Sequence, residues 1–97
     1  MEKLKVAVVG TGHLGKEHAR IYSEMSDVSL VGVVDTDKDA GEAVAGRCKT
    51  RYYSSIKEIL NKVDVASVVV PTKSHYEITK ELLNNGIHAL VEKPMTG

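Results

Sequence analysis

Cysteine is almost missing from this chain. The one thiol, Cys48, excludes an intrachain disulfide and fits a reducing compartment. Charge imbalance is missing too: 13 basic residues meet 13 acidic ones, and the lysines and arginines are scattered singly. A chain without a basic stripe has little to track a phosphate backbone, so no nucleic acid is expected as partner. The first apolar run, Val6 to Val9, is far too short for a signal-peptide core or a membrane span. A cytoplasmic location, with no membrane partner, is the default expectation. Repeats, low-complexity tracts and Gly/Ser/Pro-rich linkers are absent, so residues 1–97 read as one domain. No Cys/His cluster has metal-ligand spacing, and no metal is expected.

What is present is an alternation of two periodicities. Leu4 to Val9 is a nearly continuous β-branched run, the pattern of a parallel strand covered on both faces. Gly10 to Gly15 breaks it, and Leu14, His18, Ile21 and Met25 then share one helical face. Ser29 to Val34 reads as a second strand ending at Asp35. Asp37 caps a helix that carries Ala40, Val44 and Ala45 and closes near Gly46. Arg51 to Tyr53 is a short third strand, and Ser55 with Glu58 forms a capping box for a brief helix through Leu60. Val63 to Val70 reads as a central strand stopped by Pro71. Ser74 and Glu77 form a second capping box, for a helix that ends at Gly86. Ile87 to Val91 is the fifth strand. Strands alternating with helices predict an α/β, doubly wound parallel sheet of Rossmann type, in the order 3-2-1-4-5, with its ligand crevice between strands 1 and 4.

Three signals carry chemistry. Gly10-Thr11-Gly12-His13-Leu14-Gly15 fits G-x-G-x-x-G between a strand and a helix. Gly10 permits the tight turn, Gly12 clears the approach of a pyrophosphate, and Gly15 lets the helix lie close to the first strand. The backbone N–H groups around His13 and Leu14 would then face the phosphates, aided by the helix dipole. A competing P-loop pattern, Gly10 through Lys16, fails at the next residue: magnesium needs Ser or Thr there, and this chain has Glu17. The second signal is Asp35, followed by Thr36, at the end of the second strand and twenty residues beyond Gly15. A carboxylate there accepts hydrogen bonds from ribose hydroxyls and repels a 2′-phosphate, which favours NAD over NADP. Lys38 leaves some room for NADP. The third is Glu92-Lys93-Pro94 after the fifth strand, at the crevice end of the sheet. Two readings stay open for it: a lysine held by Glu92 for hydroxyl binding or proton transfer, or a solvated charge pair before a turn. His18 reads as a packed core histidine, while His75, in the first turn of a helix near the crevice, is read as either a site or a structural residue.

Together these residues resemble the Gfo/Idh/MocA family of NAD(P)-dependent oxidoreductases. The resemblance rests on the glycine turn with His18, on Asp35, on Pro71 followed by His75, and on Glu92-Lys93-Pro94. It implies that Lys93 is catalytic, aiding proton transfer from the reacting hydroxyl, with Pro94 fixing its position through a cis Lys-Pro bond. It implies that Pro71 and Thr72 border the cofactor, beside Val70 where many relatives have threonine. The implied reaction moves a hydride from a secondary alcohol of a sugar, polyol or nucleotide-sugar to NAD. Val70 to Glu77 looks most like members acting on nucleotide-activated amino sugars. The family also carries a second α/β domain and a sixth strand, to which nothing in this chain corresponds. The segment Lys93 to Gly97 reads as a sequence cut off midway, so the chain alone is expected to bind cofactor and turn over little. The open fifth strand invites self-association into a homo-oligomer. Two other readings compete. A non-catalytic dinucleotide- or coenzyme-A-binding sensor has no use for Lys93, and neither does an S-adenosylmethionine methyltransferase.

Overall fold

The computed structural model describes residues 3–70 and 72–91. Five strands form one parallel sheet: β1 (Leu4–Val9), β2 (Val28–Val34), β3 (Arg51–Tyr53), β4 (Val65–Val68) and β5 (His88–Val91). Their order is β3-β2-β1-β4-β5, as the alternation predicts. Helices α1 (His13–Glu24), α2 (Lys38–Arg47) and α3 (Thr72–Asn84) connect them, with a 3-10 turn at Ile56–Glu58. Successive side chains of a strand point to opposite faces, and the two faces of the sheet are both covered. Ala7 and Val9 of β1 join Val34, Ile59, Val68 and Leu82 in one cluster on the α3 side. Val8 joins Val33, Ala19, Val44 and Ala45 in another, under α1 and α2.

Several local expectations are displaced. The regular part of β4 is Val65–Val68, shorter than Val63 to Val70. Sheet bonds continue past both of its ends, from Asp64 N–H to the Lys5 carbonyl and from Val69 N–H to the Val9 carbonyl, each at 2.8 Å. On α1 the buried positions are Gly15 and Ala19, whereas Ile21 and Met25 are 46% and 39% exposed. The seam has rotated by about one residue because the small side chains let the backbones approach. A Cβ on Gly15 would stand 1.9 Å from the Gly10 carbonyl oxygen. His18 is half-buried and meets the Tyr22 ring edge-on, with 6.2 Å between centroids.

Helix α2 does not close at Gly46, which is helical; Lys49 takes the left-handed conformation instead, at φ 55°. The bonds Thr50 N–H to Ala45 O and Lys49 N–H to Gly46 O make the Schellman closure. Helix α3 ends as predicted on Gly86, at φ 75°. There Ile87 N–H bonds Leu82 O and Gly86 N–H bonds Leu83 O, while Leu82 and Ile87 are buried. Ser74 lies inside α3 rather than ahead of it, since the helix opens at Thr72. Ser55 does cap the 3-10 turn, accepting from Lys57 N–H, and Glu58 reaches back to Ser54 N–H. Among the described residues, no helix is long and apolar enough to cross a membrane.

Candidate functional site

The strand order puts the carboxyl ends of β1, β2 and β4 at one rim, and the chain leaves β1 and β4 in opposite directions there. Between them lies a cleft of about 520 Å³. Gly10, Thr11 and Gly12 form its floor with Asp35 and Thr36, and its walls include Ser54, Ile56, Val70, Ser74 and Ile78. The sequence does not mark Ser54, Ile56, Ser74 or Ile78 as site residues. Each sits where a loop or helix meets the rim, a proximity that sequence spacing does not report.

The three glycines differ in what demands them. Gly10 has φ 104°, and a Cβ there would lie 2.3 Å from the Val69 carbonyl oxygen. Gly15 is required by the approach of α1. Among the described residues nothing requires Gly12: its φ of −70° suits any residue, and a Cβ would meet no described atom within 4 Å. The open space above Gly12 belongs to the cleft, which is what a closely approaching ligand would need. No side chain caps α1, so N–H groups of its first turn remain available as donors.

Asp35 is the most constrained group of the rim. Its Oδ2 accepts from Thr11 N–H at 2.8 Å and from the Thr11 hydroxyl, and its Oδ1 accepts from Asp37 N–H at 2.8 Å. Its backbone is fixed as well: the carbonyl accepts from the Tyr52 hydroxyl at 2.8 Å, and its N–H donates to the Tyr53 carbonyl. Burial pushes the Asp35 carboxyl pKa up, but the Thr11 hydroxyl and the backbone N–H groups of Asp37, Thr11 and Thr36 outweigh it and hold the value below normal. Burial first, and then the charge of Asp35, pushes the Tyr52 phenol up, so it remains a donor at neutral pH. Asp37 caps α2 through Ala40 N–H, as its position predicts.

Other sequence candidates go elsewhere. The exposed side chain of His13 lines a separate cavity of about 420 Å³ between α1 and α2, beside Lys16, Arg47 and Cys48. Glu17, the residue that spoils the P-loop pattern, pairs with Arg20 at 3.0 Å on the solvent face. His75 lines a third groove, with Thr79, Leu83 and Val91. Its Nε2 and the Thr79 Oγ1 are buried without a partner among the described residues. Pro71, Glu92, Lys93 and Pro94 lie outside the described residues. Among those described, no three His, Cys, Asp or Glu side chains gather to hold a metal ion.

Comparison with known proteins gives this rim a context. A family model described as an oxidoreductase family with an NAD-binding Rossmann fold matches residues 4–97. UDP-N-acetylglucosamine 3-dehydrogenase of Acidithiobacillus ferrooxidans is 35% identical over 96 residues, covering 99% of this chain and 30% of its own. Its solved structure superposes with a TM-score of 0.89 at 34% identity, over 99% of this chain and 31% of that one. The NAD complex of GenD2 from gentamicin A biosynthesis gives a TM-score of 0.91 at 35% identity, over 97% and 28%. Inositol 2-dehydrogenase of Rhizobium meliloti is 31% identical over 94 residues, covering 95% of this chain and 28% of its own. The chain thus spans about 30% of the length of the first of these relatives. The sensor alternative finds no support among them. By the match from residue 4 to residue 97, the chain belongs to the Gfo/Idh/MocA oxidoreductase family, whose NAD-binding Rossmann fold it carries.

Proposed function

We propose that this chain is the cofactor-binding domain of a dehydrogenase that moves a hydride between NAD and a secondary alcohol of a sugar, polyol or nucleotide-sugar. The observation that carries the reading is the open space at Gly12 facing the same cleft as Asp35. A glycine that no described neighbour requires, beside a carboxylate held ionised, suits a pyrophosphate flanked by a ribose. Gly10, Thr11, Gly12, His13, Leu14 and Gly15 would form the phosphate turn through their backbone, since the Thr11 hydroxyl is engaged by Asp35. Asp35 and Thr36 would meet the adenosine ribose. The charge on Asp35 opposes a 2′-phosphate, which makes NAD the preferred cofactor over NADP.

Pro71, Thr72, His75, Glu92, Lys93 and Pro94 are assigned to the nicotinamide end on the family resemblance. Bound nicotinamide supplies the hydride acceptor. Lys93 helps remove the proton of the reacting hydroxyl, with Glu92 and Pro94 assigned to hold it in place. Nucleotide-activated amino sugars are the favoured substrates, in line with the named activity of the Acidithiobacillus relative.

Side-by-side calorimetric titration with NAD, NADP and coenzyme A tests the cofactor reading. NAD is expected to bind at least about tenfold more tightly than NADP, a difference of about 1.4 kcal/mol. A preference for NADP would overturn the role of Asp35, and binding of coenzyme A alone would overturn the dehydrogenase reading.

A further inference from the structure

The Thr11 side chain is 3% exposed, so its hydroxyl is out of reach of a ligand in the cleft. It nevertheless donates to Asp35, from the same residue whose N–H donates to the same oxygen. An ionised carboxylate has about four acceptor positions, two on each oxygen. Thr11 fills both on Oδ2. On Oδ1 one is filled by Asp37 N–H, and the Thr36 N–H also acts on the carboxylate. Turning the carboxylate about would break three hydrogen bonds at once, and the Tyr52 and Tyr53 bonds prevent the backbone from following.

Resting on the NAD reading above, we infer that Thr11 is a positioning residue for the carboxylate that reads the ribose: its two donors on Oδ2 hold the group in one orientation and in its charged form. The phosphate turn and the ribose reader are thereby one device. A chain whose turn carried an apolar residue at this place would leave Asp35 free to rotate and short of donors. Burial would then act on the carboxyl with less opposition. The group would neutralise at a higher pH, and with its charge would go the repulsion that excludes a 2′-phosphate. Valine keeps the shape of threonine without the hydroxyl, and serine keeps the hydroxyl without the methyl, so the pair separates packing from hydrogen bonding.

The experiment titrates the chain and its Thr11→Val and Thr11→Ser forms with NAD and NADP, from neutral pH down to about pH 4. The unmodified chain is expected to bind NAD with little change across most of that range. Thr11→Val is expected to bind NAD about tenfold more weakly at neutral pH, to weaken further as pH falls, and to discriminate less against NADP at the acid end. Thr11→Ser is expected to stay within about threefold of the unmodified chain. If Thr11→Val keeps the original affinity and pH profile, the inference is overturned while NAD binding stands. An equal loss of NAD and NADP with an unchanged pH profile marks a merely structural threonine and also overturns it. Failure of the unmodified chain to bind NAD at all would instead remove the reading on which it rests.

Discussion

At the scale of single residues, a carboxylate that accepts several N–H and O–H donors is stabilised in its charged form, and that preference is shared between folding and binding. Asp35 holds its proton less tightly when folded than the ordinary value of 3.8 implies. Its contribution to stability is therefore complete above the unfolded-state pKa and is lost as pH falls through the lower folded value. Asp35→Asn is expected to be less stable than the unmodified chain at neutral pH, and the gap should close in acid, once the native carboxyl is itself protonated. Urea denaturation at a series of pH values reads this directly. A gap that stays constant down to strong acid would show that the charge is not what matters. Asp35 itself was legible in the sequence because its distance from the glycine turn is fixed by the length of a helix and a strand. Its partner Thr11 was placed at the site without a reason, because spacing says nothing about where a hydroxyl points. Lys49 was illegible for a related cause. The glycine at position 46 offered the usual stop signal, and the chain passed over it to a non-glycine residue in the left-handed region.

At the scale of elements, α1 carries the largest disagreement between pattern and packing. Leu14, His18, Ile21 and Met25 make a good helical stripe, but the sheet takes the neighbouring stripe of Gly15 and Ala19. Close backbone approach won over side-chain volume. The same reasoning gives opposite signs to one substitution at two places. Gly15→Ala would press a methyl against the Gly10 carbonyl, 1.9 Å away before any shift, and should cost about 1–3 kcal/mol as α1 is pushed from β1. Gly46→Ala, in a helix with open space around it, should stabilise by about 0.5–1 kcal/mol. Thermal unfolding of the two variants checks both, and equal effects would contradict the packing described here. Strand and helix order were fully readable, since alternating apolar runs and capped helices admit few topologies. Element ends were less so: Ser74 has capping-box spacing but falls inside α3, which opens at Thr72.

At the scale of the whole molecule, the sheet is covered above and below but not along its flank. In the described residues β5 pairs only with β4, and Leu90 and Val91 are 52% and 42% exposed. Unpaired strand edges with apolar side chains associate readily. Sedimentation of the 97-residue chain over a range of concentrations should show reversible self-association, and charging the edge by Leu90→Lys should weaken it. A monomer at every concentration would count against this. The order of the sheet also bears on how the cleft is shared along the chain. Of the five strands, β1 comes first in the chain and lies in the middle, and the later strands are added outward from it. Its first neighbour, β2, follows after a single helix, and β3 completes that side before β4 begins. The glycine turn and its acidic reader therefore belong to the half of the sheet that comes first in the chain, and the opposite wall of the cleft belongs to the half that follows.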